Sequence, residues 1–143
     1  MILIDANLLL YAYNEDSLHH LGARHWLSEL LSSDAEVGLP LQSILAFLRI
    51  STNPRLQGNP ASTASASAVV DSWLLQPKVR ILMPGSSHWA ILKRLCLATA
   101  LTGNLSTDAH LAALSIEHDG TLYTTDRDFS RFTELSWKNP LVS

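Results

Sequence analysis

The sequence is poor in cysteine, with Cys96 as its single example in 143 residues. An internal disulfide needs two cysteines and a cysteine-based zinc site needs several, so the sequence excludes both. It also lacks an apolar run near the roughly 18 residues that cross a bilayer, and a basic segment before an apolar one at its N-terminus. These absences predict a soluble, unexported, cytoplasmic protein.

Two further absences restrict the possible functions. The chain has no Gly-x-Gly-x-x-Gly and no Gly-Lys-Ser/Thr element, which argues against a nucleotide-binding Rossmann domain. Its formal charge of -3 argues against a broad basic surface for nucleic acids, because lysine and arginine hold backbone phosphates. The net charge does not exclude a small catalytic site for nucleic acids, since bound divalent cations would reverse the sign of a local acidic cluster.

What is present fits one domain spanning residues 1–143, with 47% hydrophobic residues for a single core. Apolar runs bounded by turn residues predict short strands at 1–4, 36–39, 79–83 and 121–124. Helical spacing and end signals predict helices from residue 17 to 32–34, at 41–52 after Pro40, at 62–74, at 87–102 before Gly103, and from 106 or 107 to 119. Short strands alternating with longer helices predict a three-layer α/β/α sandwich around a parallel sheet.

Two aspartates stand where the active residues of such sheets collect, beyond the carboxyl ends of the strands, and two more would converge with them if those strands are neighbours. Asp5 and Asp126 each end a predicted strand, Asp108 lies in the first turn of a predicted helix, and Asp128 follows Asp126 closely. Packed carboxylates repel one another unless a cation lies between them, so their convergence predicts a cage for Mg²⁺ or Mn²⁺. Such a site suits phosphodiester cleavage, because the cation activates water and stabilises charge on the phosphate.

Each aspartate also has a purely structural interpretation. Asp5 can cap the helix that follows it, and Asp108 can favour its own helix through the macrodipole. Asp126 and Asp128 can be ordinary turn residues between a strand and a helix. The joint arrangement is what favours the metal site over these alternatives.

Three segments carry a resemblance to a known family. They are Ile-Leu-Ile-Asp-Ala-Asn at 2–7, Leu-Ser-Thr-Asp-Ala-His-Leu-Ala-Ala-Leu at 105–114 and Leu-Tyr-Thr-Thr-Asp-Arg-Asp-Phe at 122–129. In this order and at these separations they resemble the PIN-domain ribonucleases, and within them the VapC-type toxins of type II toxin-antitoxin systems. A fourth segment, Phe-Leu-Arg-Ile-Ser-Thr-Asn-Pro-Arg at 47–55, is similar to a VapC-like subgroup.

The resemblance implies a five-stranded parallel sheet, homodimerisation, dependence on Mg²⁺ or Mn²⁺, endonucleolytic cleavage of structured RNA such as tRNA or rRNA, and inhibition by a cognate antitoxin. Carried over by position, Asp5, Asp108 and Asp126 would be the metal-site acids and Asp128 an auxiliary one. Asn7 matches a polar position that helps to orient a metal-bound water or phosphate.

The sequence departs from the family pattern at one acidic position. The family usually places a glutamate in the helix after the second strand, three residues before an arginine, and anchoring on Arg49 puts Ala46 there. A second anchoring puts Phe47 there, and Gln42 one turn earlier is neutral. The predicted cage is therefore one carboxylate short, which should weaken metal affinity or leave one firmly held ion.

Arginines are the candidates for phosphate contacts, because guanidinium binds phosphate through two parallel hydrogen bonds. Arg49 and Arg55 are predicted for this role; alternatively, Arg49 pairs with a site aspartate and Arg55 is simply solvated. Arg127 and Arg131 can equally be ordinary surface charges. His110 lies two residues after Asp108 and so points to another face of the helix, which disfavours a general-base role.

Two rival functions remain. The absent glutamate also fits a PIN-like module that has lost catalysis and only binds RNA or a protein. A haloacid-dehalogenase phosphatase also begins with an aspartate after a short strand, but its chemistry needs a second aspartate two residues later, where this chain has Asn7.

Overall fold

The computed structural model describes residues 1–100, 102–103 and 105–142. Five strands form one sheet in the order β3-β2-β1-β4-β5, and every neighbouring pair is parallel. The strands are β1 (Ile2–Ile4), β2 (Val37–Pro40), β3 (Val79–Leu82), β4 (Thr121–Tyr123) and β5 (Trp137–Lys138). The predicted short-stranded α/β fold is therefore confirmed.

Helices connect the strands and cover the sheet. They are α1 (Ala6–Tyr13), α2 (His20–Leu31), α3 (Leu41–Ser51), α4 (Thr63–Leu74), α5 (His88–Thr99) and α6 (Leu105–Glu117), with a short 3₁₀ helix at Arg127–Arg131. Within the described residues, no helix combines the length and apolarity that crossing a membrane requires.

Two hydrophobic cores, one on each face of the sheet, produce the three layers. Side chains alternate along a strand, so neighbouring residues of β1 enter different cores. Leu3 joins the core beneath α5 and α6, whereas Ile4 joins the core beneath α1 to α4, and both are fully buried. The second core contains Phe47, whose ring packs against Tyr13 and Trp73 in edge-to-face contacts.

The structure gives bounds to one helix and moves the ends of others. The helix that Asp5 could cap was expected without bounds; it is α1, whose residues Ala-Asn-Leu-Leu-Leu-Tyr-Ala-Tyr are mostly apolar and show no polar stripe. The helix α5 ends at Thr99 rather than near Gly103, because Ala100 takes the left-handed conformation with φ of 50° and stops it. The helix α6 begins at Leu105, so Ser106 lies inside the helix and not at its cap.

The strand order places a crevice between β1 and β4. From β1 the chain builds one half of the sheet through β2 and β3, and it then returns to the other side of β1 with β4 and β5. Ligands of open parallel sheets bind at such a reversal, outside the carboxyl ends of the strands. Here the carboxyl ends of β1 and β4 are paired at Ile4 and Tyr123.

Candidate active site

The crevice between β1 and β4 brings together residues from opposite ends of the chain. Asp5 follows β1 directly, and its backbone N-H donates to the carbonyl of Tyr123 at 3.0 Å. Thr124 and Asp126 follow β4 on the neighbouring strand. Asp5 and Asp126 thus lie beyond the carboxyl ends of two adjacent strands, as predicted.

Three carboxylates form a compact group at this crevice. Asp108, Asp126 and Asp128 each offer one oxygen, and these oxygens all lie within 4.8 Å of one another. Asp108 comes from the first turn of α6, and Asp126 caps the 3₁₀ helix by accepting from the backbone N-H of Asp128 at 2.9 Å. Asp128, predicted as an auxiliary acid, therefore belongs to this group, whereas Asp5 lies beside it.

The Thr124 hydroxyl joins Asp5 to the rest of the site. Thr124 is fully buried, and its hydroxyl donates to Asp5 Oδ2 at 2.7 Å. The hydroxyl oxygen of Thr124 also accepts from the backbone N-H of Asp126 at 3.0 Å and from Asn7 Nδ2 at 3.3 Å. A hydroxyl has one hydrogen to donate and two lone pairs, so all three sites are in use. Although Asp5 occupies the N-cap position of α1, its side chain makes no capping hydrogen bond.

Sequence reasoning missed Thr124, although a signal was present. The pair Thr124-Thr125 stands immediately before Asp126, but only a parallel partner strand turns one of the two hydroxyls toward Asp5. Asn7, predicted as a polar site residue, enters this network through its amide nitrogen. Its Oδ1 is buried and has no hydrogen-bond partner among the described residues.

Burial and mutual repulsion raise the pKa values of two of these acids. The pKa of Asp108 is raised to about 6, first by burial and then by the charges of Asp126, Asp5 and Asp128, while Arg131 opposes the increase. Burial also raises the pKa of Asp5; the Thr124 hydrogen bond counteracts the increase, and the charge of Asp126 reinforces it. Ionising Asp108 and Asp5 is therefore unfavourable in this site, and a nearby cation would offset that cost.

Metal-free protein should lose stability as the pH rises from about 4 to 7 through titration of Asp108. Its pKa is raised from 3.8 to about 6, so the folded state retains a proton that the unfolded state releases. The stability that this proton contributes is fully present below the pKa of Asp108 in the unfolded state, and it is lost as the pH rises through its pKa in the folded state. Urea denaturation in EDTA should show wild type losing stability relative to Asp108→Asn over this range. A pH-independent difference between the two would contradict the assignment.

The donor set fits a hard divalent cation. Mg²⁺ and Mn²⁺ take carboxylate oxygens, and oxygens on opposite sides of an octahedral Mg²⁺ lie about 4 Å apart. The oxygens of Asp108, Asp126 and Asp128 lie within 4.8 Å of one another, which is close to this span. A bound cation would offset the repulsion among these carboxylates, which contributes to the raised pKa of Asp108.

The predicted arginines lie on exposed parts of the chain. Arg49 is exposed on α3 and Arg55 is exposed in the loop after it, and neither forms an ion pair within residues 1–100, 102–103 and 105–142. The alternative pairing of Arg49 with a site aspartate is therefore not seen in this part of the chain. Arg131 does reach the site: its Nε donates to the Asp128 carbonyl at 3.1 Å.

His110 faces away from the carboxylates, as its position in the helix predicted. Its Nδ1 lies 2.9 Å from Nε2 of the buried His88 on α5, which explains where its ring points. Burial and the neighbouring His88 lower the pKa of His110. The pair packs α5 against α6 and takes no part in the crevice.

A family model described as PIN domain matches residues 2–135 of the chain. The chain belongs to the PIN domain family. Two curated relatives place it in the VapC branch of these PIN domains. It is 37% identical to VapC ribonuclease Mb2897 of Mycobacterium bovis, covering 99% of this chain and 96% of that one. It is 38% identical to ribonuclease VapC33 of Mycobacterium tuberculosis, covering 99% of both.

Solved PIN-domain structures share the fold. The VapBC2 structure from Rickettsia felis, bound to a DNA fragment from its promoter, aligns with a TM-score of 0.70 at 17% identity, over 97% of this chain and 98% of that one. VapC20 of Mycobacterium tuberculosis, described as a sarcin-ricin loop cleaving toxin, aligns with a TM-score of 0.65 at 16% identity, over 95% and 99%. At these identities the likeness establishes the architecture.

The helix α3 of this PIN domain carries no acidic residue at all. Phe47 is fully buried in the core beneath α1 to α4, so this position cannot present a polar group to the crevice. Gln42 and Ala46 lie one turn apart on a half-buried face. The third carboxylate of the compact group comes instead from Asp128, on the 3₁₀ helix.

Proposed function

We propose that this PIN domain is the endoribonuclease toxin of a toxin-antitoxin pair, and that it hydrolyses phosphodiester bonds in structured RNA of the tRNA or rRNA class. The observation that carries the proposal is the group formed by Asp108, Asp126 and Asp128 at the crevice between β1 and β4. The names of the VapC ribonuclease relatives give the reaction class.

We assign the catalytic and metal-binding roles to four acids. Asp108 and Asp126 would hold a Mg²⁺ or Mn²⁺ ion together with Asp128, and Asp5 would add a fourth carboxylate from the neighbouring strand. When bound, the ion supplies Lewis acidity toward the phosphate and lowers the pKa of water. Thr124 orients Asp5 and favours its charged form, because its hydroxyl donates to Oδ2.

Arginines are the proposed contacts for the RNA backbone. Arg49 and Arg55 are exposed cations that can contact RNA phosphates. Asn7 lies in the first turn of α1 and donates to the Thr124 hydroxyl, so it can help to fix the position of a ligand bound beside Asp5. With a net charge of -3, the chain relies on these few contacts and on the metal for affinity.

An antitoxin is the proposed protein partner. Two structural neighbours are titled as VapBC assemblies, one from Rickettsia felis and one from nontypeable Haemophilus influenzae. We extend this partnership to the present chain and place its activity in the cytoplasm, where tRNA and rRNA are found. A homodimer is proposed on the family resemblance alone. Co-expression with the product of an adjacent small gene should inhibit RNA cleavage and yield a co-purifying complex.

The rival function is a binding module that has lost catalysis because α3 carries no glutamate. A metal titration separates the two. Purified protein should cleave total tRNA or rRNA in Mg²⁺ or Mn²⁺ and should leave it intact in EDTA. Single-stranded DNA of equal length serves as the control substrate. Metal at about 100 times its Kd should stabilise the fold by about 2.7 kcal/mol. If the protein bound RNA but did not cleave it with either metal, the result would favour the non-catalytic binding module.

A further inference from the structure

Arg131 is the one cation within the described residues that pairs with the carboxylate group. One of its terminal nitrogens lies 3.9 Å from Asp128 Oδ1, and its charge opposes the raised pKa of Asp108. The other arginine of the 3₁₀ helix, Arg127, is exposed and forms no ion pair in the part of the chain that the structure describes. Two arginines of one short helix thus have different surroundings.

The Arg131 side chain is fixed at one end and available at the other. Its Nε donates to the backbone carbonyl of Asp128 at 3.1 Å, which holds the guanidinium plane beside the crevice. The 3.9 Å distance to Asp128 Oδ1 is well beyond the roughly 2.7–2.9 Å of a charge-assisted hydrogen bond. The donors on its terminal nitrogens are therefore not consumed by Asp128, and 39% of the side chain is exposed.

A phosphate at the crevice would be the better partner for these donors. A cation held by Asp108, Asp126 and Asp128 would share the Asp128 charge and weaken its attraction for Arg131. The same cation would draw a phosphodiester to the crevice, and guanidinium matches the oxygens of a phosphate with two parallel hydrogen bonds. Arg131 would then exchange a long ion pair for two short hydrogen bonds.

We propose that Arg131 is a substrate-binding residue that contacts the phosphodiester held at the Asp108, Asp126 and Asp128 group. This inference rests on the proposed RNA cleavage and adds a residue to it. It differs from a structural role, in which Arg131 would only keep the 3₁₀ helix and Asp128 in position. The two roles have opposite consequences for metal binding, because removing a positive charge beside carboxylates favours a cation, whereas releasing Asp128 disfavours it.

The test compares Arg131→Ala with Arg131→Lys and with the matched control Arg127→Ala. Loss of the phosphate contact should lower kcat/KM on total tRNA by roughly 10- to 100-fold in Arg131→Ala, with partial recovery in Arg131→Lys. The control should stay within about threefold of wild type, since it removes only an exposed charge. Calorimetric titration of metal-free protein with Mn²⁺ should give an unchanged or tighter Kd in Arg131→Ala.

Other outcomes separate the possibilities. Equal kcat/KM in Arg131→Ala and Arg127→Ala, with an active wild type, would overturn the inference and leave the proposed function intact. A weaker Mn²⁺ affinity in Arg131→Ala, parallel to its loss of cleavage, would show the structural role instead. A wild-type protein that binds Mn²⁺ but cuts no RNA would overturn the proposed function, and the phosphate contact with it.

Discussion

The Asp126→Asn variant should lose RNA cleavage almost completely while becoming more stable without metal. Asp126 belongs to the compact carboxylate group, and its charge raises the pKa of both Asp108 and Asp5. A bound metal contributes several kcal/mol to the transition state, so losing it should reduce cleavage by roughly 10²-fold or more. Asparagine keeps an oxygen that can accept from the Asp128 N-H, so the 3₁₀ helix should survive the change.

Two measurements test this result together. In EDTA, relief of repulsion worth about 1 kcal/mol would raise Tm by roughly 3 °C, and addition of Mn²⁺ should produce no further increase in the variant. The matched control is Asp71→Asn, which removes the same charge from an exposed position on α4. Cleavage at the wild-type rate by Asp126→Asn would refute the site and would point to a contaminating nuclease.

The Thr124→Val variant should weaken metal binding through Asp5. Valine has nearly the shape of threonine but cannot donate to Asp5 Oδ2 or accept from Asp126 and Asn7. Groups that orient metal ligands in this way typically change metal affinity by about 10- to 100-fold when removed. The buried partners left unsatisfied should also lower the free energy of unfolding by about 1–3 kcal/mol.

A conservative change and a neighbouring one make the Thr124 prediction specific. Thr124→Ser retains the hydroxyl and should preserve Mn²⁺ affinity, whereas Thr125→Val removes a hydroxyl that makes no hydrogen bond within the described residues. Calorimetry with Mn²⁺ and urea denaturation in EDTA should be run on all three variants. If Thr124→Val and Thr125→Val bound Mn²⁺ equally well, the Thr124 hydroxyl would have no part in holding Asp5.

Four of the five strands could be predicted from the residues because their signals are local, whereas β5, of two residues, was expected only from the family resemblance. Residues 1–4 and 121–124 are short apolar runs closed by turn residues, and the structure has strands at Ile2–Ile4 and Thr121–Tyr123. The bounds of the helix α1 could not be predicted in the same way, because its mostly apolar residues lack the polar stripe that marks an amphipathic helix. The end of α5 depends on the backbone of Ala100, a residue type that rarely takes a left-handed conformation.

The aspartates of the site could be predicted, but the contacts among them could not. Residues after a parallel strand are placed at a known edge of the sheet, which brought Asp5 and Asp126 into the prediction. The inclusion of Asp128 in the compact group depends on the 3₁₀ helix that follows β4. The Thr124 and Arg131 contacts depend on strand pairing and on a helix turn, so no sequence spacing revealed them.

The strand order also sets when the crevice can exist during synthesis. Asp5 and Thr124 are separated by 119 positions, yet they share one hydrogen bond because β1 and β4 are neighbours. When residues 1–100 have been translated, Asp5 is present but Asp108, Thr124, Asp126 and Asp128 are not. A nascent chain therefore cannot assemble this crevice until the segment from Asp108 to Asp128 has also been made.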